Sequence, residues 1–189
     1  TCPICGRKTA VNEVCLECKA HPPAYDRAVS ALVYRDGGAG LVMKFKRGGT
    51  YLKDYFADLL APKCRQFAIA DGVCFVPMTA RAERRRGYNQ AELLAKELAD
   101  RLDLPLLPVL KKKKETGEQK SLTRKERESN LKGCFSAHKA DVTGKSFILV
   151  DDVLTTGATA EEAAKTLKNK GAEHVYCAFA ASVEFKNEL

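Results

Sequence analysis

The segment Phe147-Ile148-Leu149-Val150-Asp151-Asp152-Val153-Leu154-Thr155-Thr156-Gly157-Ala158-Thr159 places two carboxylates and a hydroxyl-rich turn directly after an apolar run. Residues of these types in this order can hold a ribose phosphate. Asp151 and Asp152 can accept hydrogen bonds from the 2- and 3-hydroxyls of a ribose. Thr155, Thr156 and Thr159 supply hydroxyl donors, and Gly157 lets the backbone come close to a phosphate. The elements that position them follow from periodicity. Phe147 to Val150, apolar on both faces, predicts a buried parallel strand, and Ala160 to Lys170 predicts a helix. The turn therefore opens a helix N-terminus, where unpaired N–H groups and the positive end of the dipole favour an anion. The alternative is a strand ending in an ordinary acidic turn with capping threonines, which leaves the paired aspartates unexplained. A Walker loop is excluded because no lysine follows the glycine.

The segment resembles the phosphoribosyl pyrophosphate (PRPP) signature of type I phosphoribosyltransferases at its hydrophobic run, acidic pair, Thr156-Gly157 and Thr159. That resemblance implies a PRPP pocket made by Asp151, Asp152, Thr155, Thr156, Gly157, Ala158 and Thr159.

A second constellation lies in the first 18 residues. Cys2, Cys5, Cys15 and Cys18 form two Cys-x-x-Cys pairs separated by nine residues. Each pair can grip one side of a tetrahedral Zn²⁺ through thiolates, as in a zinc ribbon. Metal binding then supplies roughly 10 kcal/mol to a segment too short to fold on its own core. Two disulfides are the alternative, and they fit poorly with a chain that shows no export signal. His21 is expected to be a bystander in the linker. Cys64, Cys74, Cys134 and Cys177 are expected in the core.

The chain has 189 residues and is 45% hydrophobic, enough for one sizeable core and a small appendage. No apolar stretch approaches the ~20 residues that span a bilayer, so membrane insertion is not expected and the expected location is cytoplasmic. Lysine and arginine number 32 against 24 acidic residues, a net charge of +8. Residues 81–132 carry 15 basic and 9 acidic residues, net +6, which suits a polyanionic partner. For Lys111 to Lys114 a solvated face is the simpler reading.

His21-Pro22-Pro23 marks a boundary between a metal-binding ribbon at 1–22 and an α/β domain at 23–189. In the second domain, strands are predicted at Ala28–Tyr34, Val73–Val76, Leu106–Leu110, Phe147–Val150 and His174–Ala181. Gly37-Gly38 is expected to punctuate the chain before a helix that begins with Leu41 to Phe45 and ends near Gly48-Gly49. Tyr51–Phe67 is predicted as a helix interrupted at Pro62, and Tyr88–Leu102 as a helix. Lys111 to Lys120 reads as a polar loop before a helical candidate at Leu122–Leu131. The alternation predicts a doubly wound, mainly parallel sheet.

Two more segments carry a family resemblance. Val76-Pro77 leads into Arg81, Arg84, Arg85 and Arg86-Gly87-Tyr88-Asn89-Gln90. Gln119 and Leu122 are followed by Arg124, Arg127, Asn130 and Gly133-Cys134-Phe135. With the cysteine pairs in front and the PRPP-type segment behind, the chain resembles the ComF (ComFC-type) family of competence proteins over nearly its whole length. The resemblance implies a phosphoribosyltransferase-type fold and a zinc module. It also implies a role in natural transformation, with incoming single-stranded DNA handled in the cytoplasm beside a ComFA-type DNA translocase.

On their own chemistry, Arg86, Tyr88, Asn89 and Gln90 can bind phosphates and stack on bases, joined by Arg81 and Arg124. The plainer reading makes Asn89 a helix cap and packs Tyr88. Two functions share the pocket. One is binding of single-stranded DNA without turnover. The other is phosphoribosyl transfer, in which Asp151 and Asp152 hold the ribose, Mg²⁺ accompanies PRPP, and cations such as Lys44, Lys46 or Arg86 offset charge on pyrophosphate. A third role, the ribbon as a docking adaptor for the translocase, ranks behind both.

Overall fold

A computed structural model describes residues 1–113 and 131–184. Four strands, β1 (Arg27–Val33), β2 (Gly72–Phe75), β5 (Phe147–Leu154) and β6 (Val175–Ser182), form one sheet in the order β1-β6-β5-β2. Every pairing in it is parallel. A separate antiparallel pair joins β3 (Leu110–Lys112) to β4 (Phe135–Ala137).

Side-chain alternation along β5 explains the two layers. Phe147 and Leu149 point into a core shared with Cys74, Cys177 and Phe179. Ile148 and Val150 point into the opposite core, with Val73, Phe75 and Tyr176. Both faces are buried, so the strand reads as an unbroken apolar run. Helices α3 (Leu52–Cys64) and α5 (Gln90–Leu102) cover the second face. Helix α7 (Ala158–Asn169) covers the first, together with the N-terminal cysteine segment and its short helix α1 (Leu16–Ala20). Helix α5 buries Ala91, Leu94, Ala95, Leu98 and Ala99, one stripe at helical spacing. Helix α7 presents Leu167 and the small residues Ala160, Ala163 and Ala164, which let it lie close to the strands.

Several elements differ from their predicted bounds. Gly37-Gly38 does not punctuate the chain but lies in the first turn of α2 (Asp36–Lys46). The cause is packing: a Cβ on Gly38 would stand 2.2 Å from the carbonyl oxygen of Val33, whereas one on Gly37 meets nothing within 4 Å. Pro62 does not interrupt α3, because it lies in the last turn, where its missing N–H costs one bond. A single 3₁₀ turn, Arg65–Phe67, follows. The stretch Leu106–Leu110 is not a strand. Pro105 and Pro108 limit it to one bridge, Val73 to Leu106, before β3 begins at Leu110.

Arg81 to Arg86, given no element from the sequence, form α4 (Ala80–Arg86), capped by the Thr79 hydroxyl. Lys111 and Lys112 belong to β3 and not to a loop. The segment 114–130, with most of the Leu122–Leu131 helical candidate, lies outside the described residues. A short helix α6 (Lys139–Val142) leads into β5.

Adjacent strands β2 and β5 send their following helices to opposite faces, α5 to one and α7 to the other. Such a switch point leaves a crevice beyond the strands' carboxyl ends, where open α/β sheets bind ligands. Here the crevice is deepened because β5 outruns β2. Their last paired residues are Phe75 and Val150, after which Pro77 turns away while β5 continues beside β6 to Leu154.

Gly38→Ala is expected to destabilise the protein by about 2–3 kcal/mol, since a backbone must move, while Gly37→Ala leaves it unchanged or up to about 1 kcal/mol more stable. Urea unfolding of both variants checks this; equal midpoints would refute the packing argument.

Candidate functional site

The crevice is a cavity of about 410 Å³ lined by Asp151, Asp152, Thr155, Thr159, Lys46, Arg86, Asn89, Gln90 and Lys112, among others. The strand extends through the acidic pair, so alternation turns the two side chains to different surroundings. Asp151 accepts the N–H of Asp152 at 2.8 Å. Asp152 accepts from Gln90 Nε2 at 2.6 Å and pairs with Lys46 Nζ at 3.0 Å. Arg86 donates to Gln90 Oε1 at 2.6 Å. Arg86, Gln90 and Asp152 thus form one chain of hydrogen bonds across the crevice.

Burial pushes the Asp151 carboxyl up to about 7, and the neighbouring Asp152 charge adds to the rise. Its hydrogen bond from Asp152 N–H, with Lys46 and Lys112, works in the other direction. A carboxyl held in this way changes charge near neutrality.

The turn after β5 is built for close approach. Gly157 takes φ +86°, in the left-handed region, and heads α7 without any side-chain cap of its own. Thr156 Oγ1 receives the Ala158 N–H at a long 3.4 Å. Thr155 and Thr159 face the large cavity. Thr156, Gly157 and Ala158 face a cleft of about 60 Å³ toward the cysteine segment, which also contains His21. Asp151, Thr155, Gly157 and Thr159 line a gap of about 10 Å³ between them, room for one water. The open side of the turn is therefore the mouth that Thr155 and Thr159 share with the large cavity.

The two lysines expected at the pocket part ways. Lys44 does not line the cavity; its ammonium lies over the ring of Tyr51, 5.4 Å from the centroid. Lys46 lines it instead, because two residues turn a helix by about 200°. Lys112 also lines it and was passed over in sequence within a lysine run; its ammonium sits 5.8 Å from the Phe135 ring centroid.

The basic segment divides. Asn89 is buried and occupied at both ends: Nδ2 donates to Val76 O at 3.1 Å and Oδ1 caps Ala91 N–H at 3.0 Å. Its part is to aim α5. The Tyr88 hydroxyl donates to Phe45 O and accepts from Gly48 N–H at 2.8 Å. Its ring still lines a second cavity of about 420 Å³ with Lys46, Arg47, Arg85 and Arg86. Arg81 is exposed and lines neither of the two large cavities. Arg124 lies outside the described residues.

At the other end of the chain, the Sγ atoms of Cys2, Cys5, Cys15 and Cys18 all lie within 4.8 Å of one another. All eight cysteines are free thiols. The Cys5 and Cys15 sulfurs are 3.7 Å apart, far beyond a disulfide bond. Metal–sulfur bonds of about 2.3 Å at the tetrahedral angle require sulfur separations of about 3.8 Å, so the cluster fits a thiolate-bound metal. Backbone N–H groups of Cys15 and Cys18 point at Cys2 and Cys15 sulfurs at 3.4 and 3.5 Å, the second-layer bonds that orient such ligands. No helix among the described residues is long and apolar enough to cross a membrane.

Comparison with known proteins agrees with this geometry. The family described as Phosphoribosyl transferase domain matches residues 89–187. Competence protein F of Haemophilus influenzae is 32% identical over 185 residues, covering 92% of this chain and 81% of the relative. The DNA utilization protein YhgH of Escherichia coli K12 is 30% identical, covering 92% and 80%. Competence protein ComFC of Bacillus subtilis is 29% identical, covering 90% and 72%. Among solved structures, the glutamine PRPP amidotransferase of B. subtilis aligns with a TM-score of 0.50 at 20% identity. It shares the fold over 74% of this chain, which spans only 30% of that enzyme.

The raised Asp151 carboxyl has a consequence for stability. Between about pH 4 and 7 the folded protein holds a proton that the unfolded chain has released, so this group's contribution falls as pH rises through that window. Asp151→Asn is expected to raise unfolding free energy at pH 8 by about 1–2 kcal/mol and to leave it unchanged near pH 4. Urea midpoints of the two proteins across this range test it. A difference that shrinks as pH rises would reverse the assignment.

Proposed function

We propose, from the premise that this chain belongs to the ComF family of competence proteins and carries their phosphoribosyl transferase domain, that it binds single-stranded DNA in the cytoplasm through its ribose-phosphate pocket. One observation carries the reading. The cavity with the acidic pair and the threonine turn adjoins the basic cavity, and the two share Lys46 and Arg86. A phosphorylated ribose in the first therefore has a path for the neighbouring phosphates in the second, where Arg47 and Arg85 add charge and Tyr88 offers a ring for stacking. Residues 23–189 form the binding domain. Residues 1–22 form a zinc module, and a ComFA-type DNA translocase is the partner this role requires.

Phosphate neutralisation dominates such binding, and each contact on a single strand contributes about −0.7 to the slope of log affinity against log salt. Four cations give a slope of about −3. Arg86→Ala is expected to weaken oligonucleotide binding about tenfold and to reduce that slope by about 0.7, with the fold intact by circular dichroism. Salt-independent binding, or none, rejects the proposal.

Zinc is the metal we assign to the cysteine cluster, since four thiolates in tetrahedral spacing suit it. One zinc per chain is expected by thiol-release titration. Chelation is expected to lower stability by several kcal/mol. A metal-free protein of full stability would count against the assignment.

Turnover is the second reading, favoured by the position of Lys46 and Arg86 beside the ribose-binding acids. Thr155 and Thr159, with the first N–H groups of α7, take the 5-phosphate of PRPP. Asp151 and Asp152 accept from its hydroxyls, and the two cations offset negative charge as the C1–oxygen bond to pyrophosphate breaks and an acceptor bonds to C1. Mg²⁺ bound with PRPP would supply charge neutralisation at the pyrophosphate. Calorimetry with PRPP and Mg²⁺ on wild type and Asp152→Ala tests the pocket. Transfer of labelled ribose phosphate to a panel of acceptors separates turnover from binding, and its absence leaves the binding role alone.

A further inference from the structure

Arg7 is a side chain on which the two ends of the chain converge. It lies two residues past Cys5, and its main chain closes that knuckle. Its carbonyl accepts the Cys2 N–H at 2.8 Å, and its own N–H is hydrogen-bonded to Cys5. Its guanidinium, buried at 5% exposure, crosses to the other end of the sequence and donates to the carbonyl of Thr155. The same residue thus contacts a metal-ligating thiol with its backbone and the first threonine of the phosphate turn with its side chain.

The knuckle is also held firmly against the domain. Ala28 N–H donates to Ile4 O at 2.6 Å, and Ala24 N–H donates to Glu161 Oε2 in the first turn of α7 at 2.7 Å. A Cβ on Gly6, where φ is +71°, would stand 2.5 Å from the Ala28 carbonyl. The knuckle therefore cannot shift without dragging Arg7. Thr155 itself is exposed, and its N–H makes a long 3.2 Å bond to Val153 O. Local bonds hold its peptide weakly, so the guanidinium is the strong constraint on that carbonyl.

We propose that Arg7 is a positioning residue that couples the four-cysteine centre to the phosphate turn, so that metal in the centre sets how tightly the turn holds a phosphorylated ribose. The proposal rests on the pocket reading above for its ligand. Without metal the four thiols lose the bond network that fixes the knuckle, Arg7 is released, and the turn samples conformations in which its N–H groups no longer converge. Charge alone does not replace it. A lysine can reach one oxygen but lacks the planar fork that holds a fixed direction.

The test uses the full, zinc-loaded chain and three readouts: zinc per chain, affinity for ribose 5-phosphate by calorimetry, and hydrogen exchange of residues 153–160, with residues 175–182 of β6 as an internal control. Arg7→Met is expected to keep one zinc and the protection of β6, to lose about tenfold in ribose 5-phosphate affinity, and to exchange faster at 153–160. Arg7→Lys is expected to fall between Arg7→Met and wild type, and it serves should Arg7→Met fail to fold. Removing zinc from wild type is expected to reproduce the Arg7→Met behaviour, while removing it from Arg7→Met adds no further loss. Wild-type affinity and exchange in Arg7→Met would overturn the proposal. So would zinc removal that weakens the variant as much as wild type, or that strips protection from β6 as well. Should wild type not bind ribose 5-phosphate at all, the pocket reading fails, while exchange at 153–160 still decides the coupling.

Discussion

Two adjacent carboxylates held half-buried at the end of a parallel strand repel each other and resist leaving water, and the surrounding architecture is the answer to that cost. Asp152 is balanced by Lys46 and by the amide of Gln90, which Arg86 holds in place. Asp151 has the Asp152 N–H and the more distant fields of Lys46 and Lys112, and its carboxyl is pushed up as a result. The partners come from α2, α4, α5 and β3. Each of these elements must dock on the sheet for the acidic pair to be tolerated where it is. A site assembled from so many segments is expensive to keep without a use, because burying charges without partners costs several kcal/mol.

The helix after the pair completes the electrostatic pattern. Acids lie on one side of the crevice and the N-terminus of α7 on the other, with Gly157 allowing the turn between them. A ligand that offers hydroxyl donors at one end and a phosphate at the other matches both halves. The basic cavity beyond Lys46 and Arg86 widens the choice from a sugar phosphate to a chain of them. The binding and transferase readings therefore differ in what happens at C1 of the ribose and share everything else.

The cysteine segment is part of the same machine. Cys2, Cys5 and Cys18 belong to one continuous core with Cys74, Phe147 and Cys177, so the knuckle is packed onto the face that α7 covers. Arg7, Ala24 and Ala28 stitch it to the turn after β5, to α7 and to β1. Nothing in the spacing of the cysteines announces this. A zinc ribbon on a flexible linker would carry the same four residues at the same positions.

What local order alone carries was legible before any coordinates. Apolar runs bounded by glycine and proline located the parallel strands. Adjacent carboxylates before Thr156-Gly157 pointed to residues that line one cavity, and paired Cys-x-x-Cys pointed to the cysteine cluster, since each signal lies within a few consecutive residues and reflects short-range sterics and ligand chemistry. Contacts between distant segments were not legible. Gly38 looked like a break and is a close approach to Val33, Lys44 and Lys46 could not be told apart and of the two Lys46 lines the cavity, and Asn89 looked available and is consumed by Val76 and Ala91. Arg7 carried no signal, because its significance lies in Thr155, far away along the chain. Which side of a helix faces the crevice, and which polar group is already spoken for, depends on how elements pack, and packing is a property of the folded whole.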